Sequence, residues 1–220
     1  MTLNGRKIKN YFKKYSFSRI SDQEFDKLVR ESMKGLNDRA LAKTLIDPND
    51  CIRQPKMITG LKAKDFGGAE ANYRKGKDGY IRYIPKVVTI LNFTLNEIVI
   101  YQCVFDPTKE IALNESTFAV FYEHVVSIET ITDSRGDTTY STVEKLMNKI
   151  PVIKNFIEGE LNHVNVSKKF VLSTQGNTSI EIKLSDYEVV DEIGGQFRTS
   201  DVDNVIRAVR TALNDKKSRN

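Results

Sequence analysis

The sequence predicts an α+β protein in which antiparallel β-sheet, arranged as a sandwich or barrel, is closed by a C-terminal α-helix and preceded by an N-terminal helical segment. Three observations predict it. From Tyr80 onward, short runs alternate apolar and polar residues with period two, and turn residues separate the runs. After Ser200, the residues Val202, Val205, Ile206, Val209 and Leu213 recur at helical spacing. Near the N-terminus, Ser21 with Glu24 three residues later makes a capping box, an N-cap hydroxyl answered by an N3 carboxylate.

Length and charge set the frame. A chain of 220 residues is long enough to bury a substantial core, as one domain with appendages or as two small ones. Lys and Arg total 34 against 29 Asp and Glu, a net charge of +5, so the distribution of charge says more than its sum. The longest apolar stretch, from Pro85 to Phe105, is interrupted by Lys86, Asn92, Asn96, Glu97 and Gln102, which excludes a membrane-spanning helix there. The basic N-terminus lacks the apolar segment of a secretory signal. Cys51 and Cys103 have no metal or redox spacing, and a cytoplasmic location is expected.

Residues 1–20 carry Arg6, Lys7, Lys9, Lys13, Lys14 and Arg19 with no acid. Ile8, Tyr11, Phe12 and Tyr15 fall at i, i+3, i+4 and i+7, so a helix here has an apolar face and a cationic one. Two readings stand: an arm for an acidic partner, or a terminus whose aromatics pack on the body. Phe25, Leu28, Val29 and Leu36 give the next helix its apolar face; Gly35 stops it, and a second short helix through Ala40, Leu41 and Leu45 ends before Pro48. Residues 47–80, with Pro48, Pro55, Gly60, Gly67, Gly68, Gly76 and Gly79, are expected to be irregular. Lys62, Lys64, Arg74, Lys75 and Lys77 make this stretch basic, with Phe66, Tyr73, Tyr80 and Tyr83 interleaved. Such interleaving suits single-stranded nucleic acid, and equally a surface loop anchored by aromatics. The domain plan is thus a basic arm, helical hairpin and linker over 1–79, and a sheet domain over 80–217.

Within that domain, Val87, Thr89, Leu91 and Phe93 alternate with Val88 and Ile90, a strand buried on both faces. A turn at Asn96-Glu97 leads into Ile98 to Phe105, and Asp106-Pro107-Thr108-Lys109 ends that strand because proline fixes φ and aspartate bonds the backbone ahead. Thr117 to Tyr122, and then Val126, Ile128 and Thr130, continue the alternation. Ser134-Arg135-Gly136-Asp137 reads as a turn opening a helical insertion at about 134–160, with Val143, Leu146, Met147 and Ile150 at helical spacing. Phe170, Leu172 and Thr174, a Gly176-Asn177 turn, and Ile180, Ile182 and Leu184 make a hairpin with one solvated face.

The segment Tyr122-Glu123-His124-Val125-Val126-Ser127-Ile128-Glu129, the hairpin from Phe170-Val171-Leu172-Ser173-Thr174 to Thr178-Ser179-Ile180-Glu181-Ile182, and Val205-Ile206-Arg207-Ala208-Val209 together resemble the bacterial pleckstrin-homology-like (PH-like) domains. The resemblance covers about the last three-fifths of the chain. It implies a fold of about seven strands in hairpins followed by one helix, and a scaffold for proteins, peptides or lipid head groups rather than catalysis. Phosphoinositide-binding members place basic residues in the loop between the first two strands, which here is Thr94-Leu95-Asn96-Glu97 and holds none.

Chemistry by motif is sparse. His124 and His163 have no ligand spacing to Cys or to each other, no GxSxG elbow or phosphate-binding glycine motif occurs, and Asp186, Glu188, Asp191 and Glu192 form an acidic loop that has the charge to hold a cation but lacks the order and the glycine of a calcium loop. The expectation is a non-catalytic binding module with a protein or peptide partner, with no cofactor, metal or small-molecule substrate. The alternative is association with an anionic membrane surface or nucleic acid through Arg6, Lys7, Lys9, Lys13, Lys14, Arg19, Lys62, Lys64, Arg74, Lys75 and Lys77.

Overall fold

A computed structural model describes residues 1–14, 19–61, 71–137, 163–175, 179–198 and 200–217. Tyr15, Lys62, Lys64, Phe66, the Gly67-Gly68 pair, the Gly176-Asn177 turn and residues 138–160 of the expected helical insertion lie outside the described residues.

Three helices come first: α1 (Leu3–Tyr11), α2 (Asp22–Ser32) and α3 (Leu36–Thr44). The Ser21 hydroxyl accepts the Glu24 N–H at 3.1 Å, so the capping box supplies its N-cap bond. The Glu24 carboxylate turns instead to Lys7 of α1, at 3.2 Å. The aromatics of α1 pack on the body: Tyr11 is buried and stacks on Phe25 at 4.3 Å, and Phe12 meets Phe25 edge to face at 5.4 Å.

Two antiparallel sheets follow, and they do not close into a barrel. The first has the order β1 (Lys56–Leu61), β4 (Lys86–Phe93), β5 (Glu97–Asp106), β6 (Ile111–Phe121). The second has the order β7 (Val125–Asp137), β8 (His163–Thr174), β9 (Ser179–Lys183). A separate hairpin, β2 (Asn72–Lys75) with β3 (Ile81–Ile84), interrupts the first sheet between β1 and β4. Two helices complete the set, the short α4 (Tyr187–Ile193) and the long C-terminal α5 (Ser200–Lys217).

The first sheet is covered on both faces. Alternate residues of β4 and β5 divide between two cores. Leu91, Phe93, Ile98 and Ile100 join Phe170, Leu172, Ile180 and Ile182 of the second sheet and Val202, Val205 and Val209 of α5. Val88, Ile90, Tyr101, Cys103 and Phe105 join Ile8, Phe25, Leu28, Val29 and Leu36 of the helices. A strand with helices behind it and a sheet before it must be apolar in both phases, which is why β4 reads as a continuous run. A third, smaller cluster joins Leu61, Ile81, Tyr83 and Phe197.

Three expectations are corrected. The stretch 47–80 is not irregular throughout, since it holds β1, β2 and a 3-10 turn at Pro48–Asp50. Gly60 hid β1, because glycine is a poor strand former. Here it is required: a Cβ would lie 2.5 Å from Ile182 Cγ2 and 2.7 Å from the Lys183 carbonyl oxygen, where β1 passes β9. Strand β1 pairs along its length with β4, which follows it by 25 residues in the chain. Ser134-Arg135-Gly136-Asp137 is not a turn; the β7–β8 ladder carries on through it to the pair Asp137 and His163. Asp186 is not part of an acidic loop. Its carboxylate caps α4 by accepting the Glu188 N–H at 3.0 Å and pairs with Lys183 at 2.6 Å. Among the described residues no helix is long and apolar enough to cross a membrane.

Candidate groove beside the C-terminal helix

Strands β6 and β7 are consecutive in the chain, yet no ladder joins them. A single 3-10 turn, Tyr122–His124, links the two, and among the described residues each is an edge strand bonded to a neighbour on one side only. Edge strands leave a row of backbone N–H and C=O groups open. Tyr122 anchors the turn from inside. It is buried, its hydroxyl donates to the Thr94 carbonyl at 2.9 Å, and burial pushes its pKa up to about 12.

Beside this turn lies a groove of about 940 Å³. Val125, Ile128 and Leu213 form its apolar floor at the margin of the inter-sheet core. Phe121 and Val126 stand on the rim, Val126 with 66% of its surface exposed. The register of β7 against β8 slips between Val125 and Ser127. A bulge at this point re-aims one side chain, and it explains why a valine inside a strand faces solvent. Arg210 and Lys216 of α5 flank the groove, with Lys216 donating to Asn96 Oδ1 at 2.9 Å; among the described residues Glu123 is the one carboxylate in the lining. The volume falls in the range of ligand-binding clefts.

His124, at the end of the turn, stands edge to face with Phe121 at 5.8 Å and 3.7 Å from Glu123. His163 lies in β8, opposite Asp137. Among the described residues no three His, Cys, Asp or Glu converge as a metal-ligand set.

The cationic candidates from the sequence fall elsewhere, and the structure brings the two basic segments together. Arg74 of β2 donates to the Tyr11 carbonyl and lies 4.7 Å from the Tyr11 ring, so α1 and β2 are neighbours. The Lys77 N–H donates to Asp22 at 2.7 Å. The Arg19 guanidinium bonds the Lys13 and Lys14 carbonyls, and Lys7 pairs with Glu24. The stem of Lys75 lies by Gly195. Arg6, Lys9 and Lys13 are exposed. Acids are built into the same region. Asp26 and Asp78 chelate the buried Arg82 through bonds of 2.7 to 2.9 Å, with Asp22 3.9 Å away, and Arg198 closes the cluster at 2.8 Å from Asp78. Gly76 leaves room for this network, because a Cβ there would lie 2.7 Å from both Asp22 and Asp78 oxygens. The hydrogen bonds from Arg82 hold the Asp78 carboxyl well below the usual carboxylate range.

The groove was not found from the sequence. Its one signal was apolar residues in both phases at a strand end, Phe118 and Phe121 before Val125 and Val126. The chain matches no family model, no curated protein and no solved structure.

Proposed function

We propose that the chain is a non-catalytic binding module, PH-like in type, that holds an extended, apolar, acid-bearing peptide segment of a partner protein along β7 and α5. The order of strands supports the type: a four-stranded antiparallel sheet, a three-stranded one, then a helix packed on the core between them. One observation carries the function. An apolar groove, two helix cations and the unpaired edge of a strand meet at residues 121–128.

Each part suits a different feature of such a segment. The open N–H and C=O groups of β7 bond a peptide backbone as an added strand. Val125, Ile128 and Leu213 receive an apolar side chain, and burying one of leucine size contributes about 1.5–3 kcal/mol. Arg210 and Lys216 draw acidic residues at its flank and set the direction in which it lies.

Selection of a random peptide library displayed on phage tests the reading. The expected winners alternate apolar positions and carry Asp or Glu. Val126→Asp should weaken a selected peptide about tenfold, and Arg210→Glu should turn the selection toward Lys and Arg. Both positions are exposed, so folding is retained. A library that yields no consensus, or one blind to both substitutions, overturns the proposal.

A further inference from the structure

A second concavity, of about 470 Å³, runs along the opposite flank of α5, between that helix and the start of β1. Its lining holds Arg53, Lys56 and Arg207 with Asn204 and Thr211, over a floor of Met57, Val205 and Ala208. Among the described residues no carboxylate is in the lining. Arg53 is held by an ion pair with Asp215, on the helix turn after Thr211. Asp203, four residues before Arg207, forms no ion pair with it, and neither Lys56 nor Arg207 has an acidic partner among the described residues.

We infer that this concavity is a binding site for a phosphate monoester. Lys56 and Arg207 are like charges with no counter-ion among the described residues, and a fold retains such a pair at little cost only at the surface, where an anion can enter. The guanidinium fork matches phosphate geometry through paired N–H donors, and two arginines, joined by the ammonium of one lysine, line this one cavity. Arg53 is pre-positioned by Asp215, which lowers the ordering cost of binding. Thr211 donates its hydroxyl proton to the Arg207 carbonyl at 2.8 Å, which ties the helix backbone beneath the site. A bare phosphate does not fill the volume; the Met57–Ala208 floor leaves apolar surface for the organic part of an ester. The same chemistry is offered by a soluble phosphoester and by a lipid head group.

Two assays on the full chain separate those sources. Isothermal titration with glycerol 3-phosphate reads the soluble ester. Co-sedimentation with phosphatidylcholine vesicles carrying about one part in five phosphatidic acid reads the head group, and its salt dependence reads the charge. Binding in either arm is expected, weakened about tenfold or more by Lys56→Glu with Arg207→Glu. Lys27→Glu with Lys34→Glu makes the same change in net charge on exposed positions of α2 and just beyond it, and should leave binding within about twofold. Should the reversal at the site unfold the chain, Lys56→Gln with Arg207→Gln reads the same loss. No binding in either arm, or equal weakening by the two double variants, overturns the site.

Discussion

Arg82 and Arg207 carry the same group in opposite surroundings. Arg82 is 5% exposed, and three carboxylates from α2 and the β2–β3 turn, with Tyr11 close by, define its place. Arg207 stands at the surface of α5 beside Lys56 and Arg53, with no acid among the described residues to hold it. The same contrast separates two faces of the molecule. Where the helices cover the first sheet, each buried cation or carboxylate has a partner: Arg82 has its aspartates, and Glu115 has Arg39 at 2.6 Å and the Tyr101 hydroxyl at 2.8 Å. Along α5, cations and apolar side chains are left open on both flanks. Partnered charge builds the fold, whereas unpartnered charge beside a concavity is available for a ligand.

The largest effect that can break this comparison is at Arg82. Arg82→Met removes five donors and leaves the half-exposed Arg198 as the guanidinium still paired with Asp26 and Asp78. Breaking a buried pair by removing one partner costs about 3–5 kcal/mol; these carboxylates keep some solvent, so a loss of about 3 kcal/mol is expected. Urea denaturation followed by circular dichroism reads it as a lower midpoint at constant slope. Arg82→Lys keeps the charge without the fork and should fall between. A loss below about 1 kcal/mol for the methionine variant would show that the cluster is ornamental to stability.

Acid offers the next test. The Arg39 hydrogen bond, helped by Tyr101, holds Glu115 at about 2 against its ordinary 4.5. Asp78 is lowered chiefly by its hydrogen bond from Arg82. At Asp22 burial pushes the other way, and the bonds from the Tyr11 hydroxyl and the Lys77 N–H outweigh it. All three folded values lie below the unfolded ones, so the stability they contribute is fully present above the unfolded pKa and is lost as pH falls through the folded value. The urea midpoint should therefore be level from neutrality down to about pH 4.5 and drop from there toward about pH 2. Glu115→Gln should lose part of that slope; an unchanged slope would mean that the helix-covered face does not govern the acid response.

What could be read from the sequence, and what could not, follows the range of each interaction. The capping bond of Ser21, the two-phase burial of β4, the Asp106 turn and the apolar stripe of α5 depend on residues within a few positions of one another, and each is found where the spacing puts it. Strand β1 depends on β4 and β9, and its Gly60, which suits the close approach of Ile182, looks like a breaker when read locally. Arg135 and Gly136 have turn composition, but the ladder with β8 overrides it. The cations were the hardest to sort. Density of Lys and Arg marked 1–20 and 61–86, yet the acids that answer Arg82 lie within or next to those stretches, Asp22 and Asp26 just after the first and Asp78 inside the second. Arg53 and Lys56 are three residues apart, but Arg207 reaches their cavity only because α5 lies against β1.

The smallest expected effect is the most discriminating one. Lys56→Ala with Arg207→Ala removes two cations that have no acidic partner among the described residues, so stability should change by no more than about 0.5 kcal/mol, and relief of like-charge repulsion favours a small gain at low salt. Arg53→Ala also removes the ion pair with Asp215, an exposed one, and should cost up to about 1 kcal/mol. A thermal-melt series at low and high salt separates the two. If the paired alanines instead destabilise by more than about 1 kcal/mol, their stems are packing the α5–β1 contact. The cluster would then belong to the fold in the way Arg82 does, and the difference between the two faces would be one of exposure rather than of use.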